Sequence, residues 1–285
     1  MTLGGGVLAA VLFGALLHAG WNALVKSSPD KALDTTVIHL AGSMLALPLI
    51  AFTGLPPSSA WPYILASVVI HIAYYTALTG AYRHGDLGLT YPLMRGTGPM
   101  LVALSANATV GESLSSIAWA GVTGICGGVL LLGLTSHALE RPKAVAFALA
   151  NAVVIALYTT VDALGVRTTA AGGGNAAQYV IALFVLDGWP FGLVVLYRRG
   201  LAVAWPYAKA RAPLAFVGAA ASLGSYGIAL WAMTRAPVAL VAALRETSVL
   251  FAVLLGVWLL GERFTAQRAA GTAAIVAGVL ALRLG

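Results

Sequence analysis

The sequence predicts an all-α membrane protein of ten transmembrane helices built as two inverted five-helix repeats, and three observations carry that prediction. Hydrophobic residues make up 60% of the 285 residues and charged residues only 9%, a balance far from that of a soluble domain. The apolar residues fall in about ten blocks of roughly twenty residues each, the length that crosses a bilayer as a helix. Strands are excluded, because a membrane barrel alternates apolar and polar residues over about ten-residue segments. The third observation is an internal match. Shifted by 150 residues, the chain sets Arg95 on Arg245, Thr97 on Thr247, Leu104 on Leu254, Gly111-Glu112 on Gly261-Glu262, Gly121 on Gly271 and Gly128-Val129-Leu130 on Gly278-Val279-Leu280. Shared hydrophobicity does not explain the matched Arg and Gly-Glu pairs.

The first block, 4–25, follows neither a charged start nor a small-residue cleavage pattern and reads as a retained span. It presents His18, Trp21, Asn22 and Lys26 at helical steps. The blocks at 35–53 and 60–82 follow, the latter carrying His71, Tyr74, Tyr75, Leu78 and Tyr82 on one stripe. The fourth, 87–109, holds Arg95 one turn after Tyr91 and among Pro92, Gly96, Gly98 and Pro99, which predicts a bend beside the arginine. Cys126 in the fifth, 115–134, is the single cysteine and reads as a small buried hydrophobe. The sixth, 143–164, offers Asn151 and Tyr158, with Asp162 and Arg167 at its end as capping and anchoring residues. Asp187 lies near the centre of the seventh, 176–197, where Gly188 and Pro190 suggest a kink. Ser222, Ser225 and Tyr226 mark the eighth, 212–233; the ninth, 237–260, opens on Pro237 and carries Arg245-Glu246; the tenth is 267–284. Most connections are tight, while AAGGGN and YRRGLAVAWPYAKARAP read as surface loops.

The halves divide as 1–139 and 140–285. A weaker match of Trp21-Asn22 with Tyr158-Thr159 extends the repeat to the first and sixth helices. Five spans is an odd number, so successive halves enter the membrane from opposite sides, as inverted repeats do in many transporters. Arg95 and Arg245 each sit about eight residues into their span, roughly 12 Å from its start, and inversion brings both toward the bilayer centre. An uncompensated charge there costs at least about 2.5 to 3.5 kcal/mol. Either the two line a shared polar cavity, or each is neutralised by an acid: Arg95 by one on a neighbouring helix, Arg245 by Asp187 or Glu246. Asp187 reads equally as such a partner or as a group that takes up a proton during transport. Glu246 follows Arg245 directly, so the two point about 100° apart and only one faces the cavity squarely.

The stretches LLHAGWNALVKSS, AYRHGDLGLTYPLMRGTGP, YTTVDALG and LWAMTRAPVALVAALRETSVLFAVLLGVWLLGERF resemble the drug/metabolite transporter superfamily, in the group of EamA-like ten-helix permeases. The resemblance implies inverted halves around a central cavity lined by helices three, four, eight and nine, with one and six helping. It also implies export of amino acids or related metabolites. On that basis the candidate substrate-binding residues are Arg95, Arg245, Tyr91, His71, Tyr75, Trp21, Asn22, His18, Tyr158, Tyr226 and Glu246, with Asp187 and Glu246 as the coupling or ion-pair groups. The arginine forks suit a carboxylate or phosphate-like group. If acids neutralise them, the aromatic rings suit an organic cation instead. A third reading is an assembly partner with no transport cycle.

No phosphate loop, metal-ligand spacing or nucleophile elbow appears, so the sequence predicts no enzyme, no cofactor and no metal. The expected partners are a small-molecule substrate and membrane lipids. The net charge of +7 calls for no nucleic acid, because basic loops also meet anionic headgroups. A monomer or homodimer in a bacterial inner membrane is expected. Counting Lys and Arg between spans puts Arg167, Arg235 and Arg283 on one face and eleven on the other, which places both termini outside. The resemblance implies both termini in the cytoplasm.

Overall fold

The computed structural model describes residues 4–26, 28–85, 87–133, 141–260 and 265–284, and at 26, 87–88 and 255–260 the backbone alone. The Gly261-Glu262 match, the GERF turn and the Lys26 side chain lie outside what it describes. The chain forms α1 (Gly5–Lys26), α2 (Lys31–Thr53), α3 (Trp61–His84), α4 (Leu87–Val110), α5 (Ser116–Gly133), α6 (Pro142–Ala171), α7 (Ala176–Arg199), α8 (Leu201–Met233), α9 (Val238–Arg245), α10 (Thr247–Leu260) and α11 (Ala266–Leu284). One short 3₁₀ turn, Ser58–Ala60, precedes α3. Among the described residues every regular element is helical.

Seven of these helices, α1, α2, α3, α5, α6, α7 and α8, are long and apolar enough to cross a membrane. The protein is therefore a multi-pass membrane protein. α4 is not among the seven; it carries Arg95, two prolines and four glycines or threonines around them. The ninth expected span is not one helix but two, of 8 and 14 residues.

Two segments expected as connections are helical instead. α6 continues to Ala171 before Gly172, Gly173 and Gly174 stop it. α8 begins at Leu201, so LAVAWPYAKARAP is its first third and not a loop. Leu33, Val195 and Ala204 form a small apolar cluster under this segment, and Arg211 clasps Asp34 of α2 through Nε and Nη2 at 2.9 Å each. At 33 residues α8 is about 50 Å long, well beyond the roughly 30 Å hydrocarbon layer.

α4 is one continuous helix that contains both Pro92 and Pro99. Its glycines serve close packing. A Cβ on Gly96 would lie 2.9 Å from Cys126 O of α5, and one on Gly98 2.9 Å from Ile155 of α6. Gly188 does the same for α7, where a Cβ would meet His39 O at 2.6 Å.

The strongest packing joins α5 to α11, α3 to α6, α2 to α7, α4 to α6, α1 to α8 and α4 to α5. Where α5 crosses α11 the backbones touch. A Cβ on Gly278 would lie 2.7 Å from Gly121 O, and one on Gly128 2.7 Å from Gly271 O. Gly278→Ala therefore has nowhere to put its methyl, because the atom it meets is backbone. We expect it to destabilise the protein by about 1 to 3 kcal/mol, read as a lower detergent melting temperature than Gly127→Ala, whose Cβ meets nothing within 4 Å.

Candidate functional site

The two arginines of the internal match stand on α4 and at the end of α9, elements that pack together. Arg95 is 7% exposed. Its Nε lies 2.8 Å from Glu246 Oε2, its Nη2 2.8 Å from His18 Nε2 on α1, and its guanidinium 5.8 Å from the Tyr91 ring centroid. The contact is a close ion pair between two buried groups.

Glu246 reaches Arg95 because the helix breaks there. It sits between α9 and α10 at φ −72°, ψ −10°, donating its N–H to Ala243 O at 3.0 Å and accepting from Val249 N–H at 3.0 Å. This is the three-residue spacing of a tightened turn. Thr247 Oγ adds a 2.7 Å bond to Leu244 O, a back-bond of the kind that bends helices. The neighbouring side chains then diverge. Glu246 turns to Arg95, while the Arg245 guanidinium lies 5.1 Å from the ring centroid of Tyr226 on α8. Among the described residues, no carboxylate forms an ion pair with Arg245. Neither acid expected to neutralise it does so.

Among the described residues, Asp187 forms no ion pair with an arginine. It faces His39 Nδ1 at 3.9 Å and His71 Nδ1 at 3.7 Å, because α7 packs on α2 and α3 and not on α4 or α9. Its Oδ1 is buried without a hydrogen bond. His71 Nδ1 is 2.8 Å from Ser67 O, an acceptor only, so that nitrogen carries the proton. Tyr75, a candidate from the same stripe as His71, stands here too: its hydroxyl lies 3.1 Å from His39 Nδ1 and its ring stacks on Phe191 at 4.4 Å.

Two residues join the clusters. Tyr158 of α6 stacks on His71 at 4.5 Å and takes Tyr74 edge-on at 5.9 Å. Trp21 of α1 lies edge-on to His18 at 5.3 Å and to His39 at 6.4 Å, donating Nε1–H to His18 Nδ1 at 3.3 Å. Asn22 is occupied within its own helix, donating to His18 O at 2.8 Å.

Asp162 is no cap. It is fully buried, and Tyr179 of α7 donates to its Oδ1 at 2.9 Å while Tyr226 donates to its Oδ2. α6 outruns its expected end by several residues, so Asp162 falls inside the packed bundle. Arg167 does anchor. It bonds Glu112 Oε1 at 2.5 Å, Met233 O at 2.8 Å and Ala236 O at 3.2 Å, and the other Glu112 oxygen accepts Val238 N–H at the start of α9 at 2.8 Å. Sequence reading missed His39 altogether; its one signal was a lone histidine inside an apolar block.

Known proteins can now be set beside this geometry. The sequence model of the EamA-like transporter family matches residues 142–284, half of the chain. A solved structure titled only as a crystal structure of a protein matches with a TM-score of 0.74 over 97% of this chain and 98% of that one, at 20% identity. That likeness is one of fold. No curated protein matches.

Proposed function

The chain belongs to the EamA-like transporter family of the drug/metabolite transporter superfamily, and from that premise we propose that it is a secondary active transporter of small polar metabolites bearing a carboxylate or phosphate-like group. Amino acids and related compounds are the favoured class. The observation that carries this reading is the asymmetry of the two arginines: Glu246 holds Arg95, whereas Arg245 faces a tyrosine ring. A partly buried guanidinium with no carboxylate ion-paired to it is ready for an anion, and its fork fits a carboxylate or phosphate in two hydrogen bonds. Arg95, with His18 and Tyr91 beside it, is assigned to the same site. Substrate recognition is assigned to Arg245, Arg95, Tyr226, Tyr158, His18 and Tyr91, with Glu246 positioning Arg95.

Alternating access about inverted halves has its own support. Several of the strongest packing pairs map onto one another when each span is exchanged with its repeat mate: α3–α6 becomes α8–α1, α3–α7 becomes α8–α2, and α2–α7 and α5–α11 are their own images. The glycines matched by the 150-residue shift, Gly121 with Gly271 and Gly128 with Gly278, meet crosswise. Crosswise contact is the signature of a two-fold relation between antiparallel helices.

A second reading rests on a different observation. With Arg95 neutralised by Glu246, the clustered rings of Tyr74, Tyr158 and Tyr91 suit an organic cation that displaces their present ring and guanidinium neighbours. A thermal-shift series on the purified protein with amino acids, phosphonates and quaternary amines separates the two. Stabilisation by carboxylates or phosphonates, with none from quaternary amines, is the expected result; the reverse pattern would replace the anion reading with the cation one.

A further inference from the structure

We propose that Asp162 is a proton-binding site that exchanges its counter-charge with the transported anion through Tyr226 and Arg245. The inference rests on the anion reading for its role in transport, but the site itself is built from contacts independent of any substrate. Asp162 is fully buried, and among the described residues it forms no ion pair. Its hydrogen-bond partners, Tyr179 and Tyr226, are neutral hydroxyls. Such groups serve both states of a carboxyl: a phenol donates to the carboxylate and can turn to accept from the acid. A fixed N–H or an ammonium could serve only the ionised state.

The groups facing Asp162 come from each helix packed on α6. α3 offers His71, with the Ser67 hydroxyl beside it; α7 offers Tyr179; α8 offers Tyr226. Beyond them, α9 places Arg245 over the Tyr226 ring, Tyr158 lies one turn earlier on α6, and α4 holds Arg95 with Glu246 as its own counter-charge. Two cations and one acid thus stand around the arginine site, and Asp162 supplies the missing negative charge across a single tyrosine. When an anion binds Arg245 that balance is lost. A proton taken from water onto the Asp162 carboxylate restores it, so one proton accompanies one anionic charge.

Infrared difference spectroscopy on the full-length protein in lipid nanodiscs, titrated from about pH 9 to about pH 5 with no solute added, tests the site directly. Expected is a reversible carboxylic-acid C=O band in the parent that persists in Asp187→Asn and is lost in Asp162→Asn. Tyr226→Phe keeps the ring under Arg245 but removes the hydroxyl, and should move the band's midpoint by about tenfold or more in proton concentration. A band of parental size in folded Asp162→Asn would overturn the proposal. Should that variant not fold, an unmoved midpoint in Tyr226→Phe would overturn it equally. Because no solute is present, failure of the anion reading shows in the thermal-shift series and leaves this band untouched.

Discussion

Arg95→Ala should cost about 3 to 5 kcal/mol of stability, the largest loss expected from any single change at the site, because it strands Glu246 as a buried charge. The carboxylate is 4% exposed, and Arg95 is its ion-pair partner. Glu246→Ala should cost a similar amount by stranding Arg95, which keeps only His18 and the Tyr91 ring. Replacing both with apolar residues of similar size, Arg95→Met with Glu246→Leu, removes both charges and should recover most of the loss, since a buried pair is near neutral against a well-packed apolar substitute. Melting temperatures of the two single variants and the double in one detergent decide this. A single variant that melts with the parent would show that the pair does not hold the core.

Arg245→Ala should behave in the opposite way. Among the described residues no carboxylate is ion-paired to it, so the protein should fold with a melting temperature close to the parent's. Ligand-induced stabilisation by the best anion should fall by about 1.5 to 3 kcal/mol of binding energy, the range for hydrogen bonds to charged groups. Arg245→Lys should recover only part, because an ammonium supplies charge without the planar fork. Binding at parental strength by a folded Arg245→Ala variant would remove Arg245 from the site. The contrast matters: equal behaviour of Arg95→Ala and Arg245→Ala would contradict the asymmetry on which the functional reading stands.

The membrane class, most helix positions and the two arginines were legible in the sequence, because bilayer length and the rarity of intramembrane charge leave few alternatives. The break after Arg245 was not. Its turn, at φ −72° and ψ −10°, lies close to helical geometry and needs neither Gly nor Pro; the only local trace is Thr247 bonding back to Leu244 O. In α4, Gly96 and Gly98 also serve close packing, against Cys126 O of α5 and the Ile155 side chain of α6, which no local pattern reveals. Partner choice was equally hidden. Asp187 and Glu246 were both candidates for an arginine, and only the packing of α7 on α2 and α3 sends Asp187 to His39 and His71. Asp162 read as a terminal residue because the helix end was placed too early, at a point where AAGGGN downstream supplies the true stop.

The central claim is that the chain carries small anionic metabolites across the membrane, held by Arg245. The most direct measurement is counterflow in liposomes: purified protein is reconstituted with unlabelled solute inside, and entry of the same labelled solute is followed for the carboxylate or phosphonate that best raises the melting temperature. The account predicts transient accumulation of label in parent liposomes and its loss in folded Arg245→Ala liposomes. Accumulation that persists undiminished in Arg245→Ala, or none in parent liposomes with any anion that binds, would contradict it.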